Sequence, residues 1–219
     1  MKMKYMAAIA AATLLLTGCE KLLDRPPLTT LDDNSNAWTS EEKVRLYANE
    51  YYTKFFYGFG IKDNNDSAPI MSANNTDDIV VLGSQENFTR SVPNSGIWNY
   101  DLIRSTNVML DRIEDKMGSI LTVEAKNHWL AVGKFFRAFR YAQLVQSYGD
   151  VPYYEHELKD TDIDGLYKAR TPRNEVMDHL YDDWKFVLEN IRKNDGEQNL
   201  NLYVAAGFIS RLALNEGSW

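Results

Sequence analysis

The sequence predicts a mainly all-α fold: TPR-like stacked antiparallel helices with long loops and at most a short β element. Three observations carry that expectation. Apolar residues recur at helical spacing in five separate segments, Gly- and Asn-rich turn signals divide those segments, and only Ile79-Val80-Val81-Leu82 has the character of a strand. Composition agrees with a folded chain, since 44% of the 219 residues are hydrophobic and 25% charged.

The amino terminus is an address rather than part of the fold. Lys2 and Lys4 precede a mostly apolar run from Tyr5 to Leu16, which is shorter than the roughly 20 residues a membrane-spanning helix needs, so residues 1–18 are expected to be a signal peptide. Leu16-Thr17-Gly18-Cys19 has the form of a bacterial lipobox. Cys19, the chain's single cysteine, would then become the first mature residue and carry acyl chains such as palmitate, enough lipid for stable attachment to a membrane. Residues 19–38, with Arg25-Pro26-Pro27 and Asp32-Asp33-Asn34-Ser35-Asn36, read as a tether, and 39–219 as the folded domain.

Within that domain Thr39-Ser40-Glu41-Glu42 has the spacing of a capping box with Thr39 as the cap, and Val44, Tyr47, Ala48, Tyr51 and Phe55 continue as the first helix. Residues 57–97 lack a helical period. Long connections of this kind are often functional, and Asn74, Asn75, Asp77 and Asp78 are the ligand-binding candidates there, with Phe88, Ile97 and the Ile79–Leu82 run as pins. Solvated turns would explain the same residues. Asp63-Asn64-Asn65-Asp66-Ser67 is not a calcium loop, because Ala68 replaces the required Gly and Asn74 the required Glu.

A second helix is expected from Trp98 to about Met117, with Trp98, Leu102, Met109 and Ile113 on its apolar face and Gly118 ending it. Thr122 should cap a third helix of about 25 residues. Two adjacent stripes, Trp129, Val132, Phe136 and Phe139 beside Phe135, Ala138, Ala142 and Val145, require that helix to be covered on two sides. Gly149 and Pro152 stop it. Tyr153 to Arg170 is polar connection. Thr171-Pro172 then reads as cap and first helical residue of a fourth helix, whose face is Val176, Leu180, Trp184, Val187, Leu188 and Ile191, closed by Asn194-Asp195-Gly196. The fifth, Leu202 to Asn215, mixes Ala205, Ala206 and Gly207 with Ile209, Leu212 and Ala213, a surface a neighbouring helix can approach closely. Trp98, Trp129 and Trp184 belong to the core on this reading, and Trp38 is freer. Because an apolar helix is followed directly by Gly217-Ser218-Trp219 with no polar capping unit, the chain is expected to be the amino-terminal part of a larger protein.

Charge and motifs exclude several functions. Without Lys2 and Lys4 the mature chain holds 22 basic against 31 acidic side chains, a poor match for the phosphate backbone of a nucleic acid. No cofactor motif is present, and no Cys/His set has metal spacing. His128, His156 and His179 are widely separated and outside any catalytic motif, so no catalytic residue is assigned. A glycoside hydrolase would need two carboxylates flanking a cleft, which no local pattern selects. A purely structural helical scaffold is the other alternative.

Four blocks carry a resemblance beyond the lipobox. They are Trp98-Asn99-Tyr100 with Ile103-Arg104 and Asn107-Val108-Met109-Leu110-Asp111; Phe135-Phe136-Arg137-Ala138-Phe139-Arg140-Tyr141; Tyr148-Gly149-Asp150-Val151-Pro152; and Arg170-Thr171-Pro172-Arg173-Asn174-Glu175-Val176. In this order they resemble the SusD/RagB family of outer-membrane nutrient-binding lipoproteins of Bacteroidetes. The resemblance implies a TPR-containing scaffold, lipid-anchored at the cell surface, that binds a glycan or other nutrient without catalysis. It also implies a SusC-like TonB-dependent transporter as partner, over which the lipoprotein sits as a lid. Family sites use aromatic faces with amide and carboxylate hydrogen bonds, and one contributing region lies before the helix expected at Trp98.

Overall fold

The computed structural model describes residues 38–56 and 98–218. Among these residues six helices follow one another: α1 (Glu41–Phe55), α2 (Asp101–Lys116), α3 (Val123–Tyr148), α4 (Ile163–Leu166), α5 (Arg173–Asn190) and α6 (Leu202–Glu216). Among the described residues the only β pairing is an isolated antiparallel bridge between Val151 and Thr171. Residues 1–18, Cys19, the tether up to its last residue Trp38, Asn74, Asn75, Asp77, Asp78 and the Ile79–Leu82 run all lie outside the described residues.

Helix α3 is the axis of the fold. It packs against α5, α2 and α1, while α6 rests on α5. Both stripes expected from its sequence are inward, and all their residues are buried except the partly covered Phe139. Thr122 caps the helix as expected, its hydroxyl accepting from the Ala125 amide at 3.1 Å. Tyr51 and Phe55 of α1 meet Phe136 of α3 with ring centroids 5.3 and 4.9 Å apart. This aromatic cluster joins the two helices across a dry interface.

The helix ends differ from expectation in instructive ways. The cap of α1 is Ser40, not Thr39: the Ser40 hydroxyl accepts from the Lys43 amide at 3.4 Å, and Thr39 instead receives the Lys43 ammonium at 2.9 Å. That register places Lys43 where a capping box needs Glu. Helix α2 starts at Asp101 rather than Trp98, because the side-chain Oδ1 of Asn99 accepts from the Asp101 amide at 2.7 Å and turns the chain first. Trp98 is therefore off the helix and 39% exposed, while Ile103, Thr106, Asn107, Met109, Leu110 and Ile113 form the buried face. Leu102 sits only partly covered beside it. Gly118 keeps a negative φ, since Met117 already closes α2 with its amide bonded to the Ile113 carbonyl.

Helix α5 begins one residue later than expected, with Pro172 itself in the cap position and no capping side chain of its own. Asp150 supplies the cap, its carboxylate accepting from the Arg173 amide at 2.9 Å. Gly149 just before it has φ +71° and ψ −115°, a conformation suited to glycine alone. Two further side chains exchange places with expectation. Leu188 is exposed, and Trp38 is buried against Tyr47 with centroids 4.9 Å apart. On α6 only Ala205 and Ile209 are buried; α5 is its main neighbour, and Phe208 also reaches the Phe56 and Phe139 rings at 5.2 and 5.5 Å.

Candidate ligand-binding cleft

Between Tyr148 and α5 the chain makes a connecting segment, Tyr153 to Glu157, that bends at Glu155 and His156 and pairs with no strand among the described residues. Side chains of α2 and α3 satisfy its backbone instead. Asn107 donates to the carbonyls of Tyr154 and His156 at 2.9 and 3.1 Å, and Arg137 donates to the carbonyl of Glu155 at 2.9 Å. The Tyr154 amide donates to the Tyr141 hydroxyl at 2.7 Å, and the Glu157 amide to the Asp111 carboxylate at 2.8 Å. Buried backbone groups must be paired, so these four side chains fix the segment in place of a sheet.

Arg137 is itself held by a buried ion pair. Its guanidinium donates to both oxygens of Asp183 on α5, at 2.7 to 3.0 Å, and Lys134 adds a third donor at 2.7 Å. Burial opposes the charge on Arg137, but the neighbouring Asp183 carboxylate outweighs it and raises the guanidinium's pKa.

This segment forms the floor of a cleft of about 460 Å³, within the usual size of ligand sites. Tyr154 and His156 line the cleft, while Tyr153 is buried and stacks on His179 at 4.3 Å. One wall is Trp98, Tyr100, Asp101, Ile103 and Arg104, leading into α2. The other is Leu158, Asp160, Leu166 and Lys168, around the single turn of α4. Arg170 lies over the Trp98 ring at 4.9 Å and Tyr148 meets its edge at 4.8 Å, which orients an indole that still faces the opening.

Polar groups ring this aromatic surface. Arg104 and Asp160 approach to 4.0 Å across the mouth with both side chains largely in solvent, a contact of little energetic weight. Lys168 donates to the Tyr153 carbonyl at 3.1 Å. The Tyr100 hydroxyl is buried with no hydrogen-bond partner among the described residues, and burial pushes its pKa above the usual phenol range, so it remains a neutral donor. Among the described residues no group of His, Cys, Asp or Glu could hold a metal ion.

A second concavity of similar size, about 470 Å³, lies among α1, α3 and α6 and contains Phe56, Phe139 and Phe208. Those rings contact one another at 5.2 to 6.4 Å and form an open edge of the core rather than a presented face.

None of the residues that hold the cleft together was legible as a site in the sequence. Asn107, Asp111, Arg137 and Asp183 each sit inside a helix, and the only available signal was that Arg137 interrupts two apolar stripes on a helix that must be covered on two sides. Trp98, assigned to the core on sequence, is the aromatic the cleft exposes most plainly, because the Asn99 turn removes it from the α2 face.

The described residues form a helical scaffold that presents aromatic side chains beside hydrogen-bonding groups in one cleft. Comparison makes the class specific. Residues 29–214 match the SusD-like family model described as "Starch-binding associating with outer membrane". The chain belongs to the SusD-like family. A SusD-like protein of Bacteroides ovatus is 21% identical across the whole chain, which covers 40% of that protein. SusD-like protein P2 of Formosa agariphila is 30% identical over 87 residues, or 39% of this chain and 17% of that one. Among solved structures, surface glycan-binding protein A from Bacteroides fluxus superposes with a TM-score of 0.61 at 16% identity, over 82% of this chain and 41% of that one. A SusD-like carbohydrate-binding protein from Bacteroides vulgatus gives 0.59 at 20% identity, over 82% and 42%. The chain thus spans under half the length of these relatives, and the structures establish the shared fold.

Proposed function

We propose that this chain is the amino-terminal portion of a cell-surface glycan-binding lipoprotein, non-catalytic, that works with a SusC-like TonB-dependent transporter in nutrient import. In this proposal residues 1–18 are removed on export, Cys19 carries the lipid anchor, 19–38 is the tether, and 39–219 belongs to the binding domain. No helix among the described residues is long and apolar enough to cross a membrane; the acyl chains proposed on Cys19 are of the kind that give stable attachment.

The observation that carries the proposal is the cleft. Sugars bind through their apolar ring faces against aromatic side chains and through directional hydrogen bonds at their hydroxyls. Trp98 and Tyr154 offer the faces, with Arg104, His156, Asp160 and Lys168 around them. Asn74, Asn75, Asp77 and Asp78 remain proposed additional ligand contacts.

Glycan-array binding of the chain, set beside a reducing-end hydrolysis assay, tests the reading. Retention of one glycan class without turnover is expected, with Trp98→Ala lowering affinity at least tenfold. Turnover would instead make the chain a hydrolase, and no retention would leave a structural scaffold. Anchoring has its own check: labelled palmitate should be incorporated by the native chain and lost completely in Cys19→Ala.

A further inference from the structure

At the cleft the Asp111–His156 pair fixes a proton as well as anchoring the backbone. The Asp111 carboxylate divides its two oxygens. Oδ2 accepts from the Glu157 amide at 2.8 Å, and Oδ1 lies 2.9 Å from Nδ1 of His156. An ionised carboxylate has no proton to give, so Nδ1 must be the nitrogen that donates. In neutral His156 the lone pair then sits on Nε2. The backbone of His156 is pinned independently, its carbonyl accepting from Asn107 at 3.1 Å, so the ring has a fixed origin as well as a fixed tautomer. Yet the side chain is 76% exposed and lines the cleft. A buried His with the same bond would be ordinary packing. Here a tautomer is specified on a ring that otherwise faces solvent.

Resting on the glycan reading of the cleft, we propose that His156, positioned by Asp111, is a specificity-determining residue whose Nε2 accepts a hydrogen bond from a sugar hydroxyl or acetamido N–H. Its neighbours make this role distinctive. Arg104 and Lys168 can only donate, and the Tyr100 hydroxyl has no partner among the described residues. Asp101 is already engaged by Asn99, whose side-chain amide donates to it at 2.9 Å, and Asp160 faces Arg104. His156 is therefore a directional acceptor placed between donors, and a ligand group lacking a proton at that point, an O-methylated hydroxyl for instance, would leave it unpaired. Sites built to bond a hydroxyl reject analogues that lack it.

The chemistry of Asp111→Asn supplies a sharp test. An amide oxygen alone can accept from the Glu157 N–H, so the amide NH₂ faces Nδ1 of His156. Nδ1 must then be unprotonated, and Nε2 becomes a donor. The substitution reverses the polarity of one atom at the cleft without removing a side chain. Titrating the chain with maltohexaose, cellohexaose, laminarihexaose, xylohexaose, mannohexaose and chitohexaose, and with their O-methylated forms, reads the consequence. For whichever of these probes binds, Asp111→Asn and His156→Ala are each expected to lose about tenfold in affinity. His156→Gln, whose amide retains an acceptor, should recover part of that loss.

Nitrogen NMR of the His156 ring decides the tautomer with no ligand present. The proposal requires a protonated Nδ1 in the native chain and a protonated Nε2 in Asp111→Asn. An Nε2–H tautomer in the native chain overturns it. So does unchanged affinity in His156→Ala while Trp98→Ala abolishes binding, an outcome that leaves the glycan reading standing. If Trp98→Ala is also without effect, the cleft itself is not the site and both readings fall.

Discussion

At the scale of single residues, two buried ionisable groups do different work. Arg137 holds Asp183 on one side and the Glu155 carbonyl on the other, so it ties α3 to α5 and to the cleft floor at once. Removing one member of a buried pair strands the other, and Arg137→Ala is expected to cost roughly 3–5 kcal/mol in urea unfolding. Joint replacement by Arg137→Met and Asp183→Leu should return much of that stability while the cleft floor loosens. His128 works by staying neutral. Its Nδ1 accepts from the Arg192 amide at 3.2 Å, it is fully buried, and burial pulls its pKa down to about 4 against the nearby Asp195 carboxylate, which favours the charged form. With a folded value below the ordinary 6.5, the unfolded chain takes up the proton first as pH falls. Stability is therefore complete above pH 6.5 and declines from there to about 4, by up to ~3 kcal/mol from this group. Thermal melts across that window should show the decline, and His128→Gln should flatten it.

At the scale of elements, the helix ends are secured by residues distant in sequence. The Tyr148–Pro152 and Arg170–Val176 blocks meet through the Val151–Thr171 bridge, where each amide donates to the other's carbonyl at 3.2 and 3.0 Å. Asp150 then caps α5 from there. Asp150→Ala should destabilise the chain by about 1 kcal/mol, the usual worth of an N-cap. Gly149→Ala should cost roughly 1–3 kcal/mol, because a Cβ is strained at its φ of +71° although nothing within 4 Å blocks it. Equilibrium unfolding of the two variants checks both values. The α1 and α3 amino-terminal ends are joined similarly: Arg192 donates to Glu124 and Glu41 at 2.7 Å, and Arg45 donates to Asp195 at 2.6 and 2.9 Å. Glu124 has its pKa lowered by the Arg192 hydrogen bond. For Glu41 and Asp195 burial opposes the lowering and the arginine bonds prevail, so acid weakens this junction further.

At the scale of the whole molecule, the stack is uneven. Helix α3 is enclosed by α1, α2 and α5, while α6 contacts chiefly α5 and leaves Tyr203 and Leu214 exposed by 71% and 74%. Local stability follows the number of apolar partners, so native-state hydrogen exchange should find α3 amides opening only with global unfolding and α6 amides exchanging through a lower barrier. Equal protection in the two helices would contradict this packing hierarchy.

The five long helices were legible because each buries a stripe that repeats with the turn of the helix, and periodicity survives without knowledge of the partner. Gly149 and Thr122 were legible because their conformations are local. The caps of α1 and α5 shifted by one residue because competing local donors and a carboxylate 23 residues away decided between neighbouring positions. The cleft was not legible at all. Trp98, Asn107, Asp111, Arg137 and His156 are far apart in the chain, and the same residues would satisfy helix faces or solvent equally well until α2, α3 and the Tyr153–Glu157 segment converge. The sequence by itself determined which segments coil and which side of each seeks cover, since propensity and period act over a few residues. Only the tertiary structure decided which polar groups meet, because a hydrogen bond depends on distances of about 3 Å between atoms that no local pattern brings together.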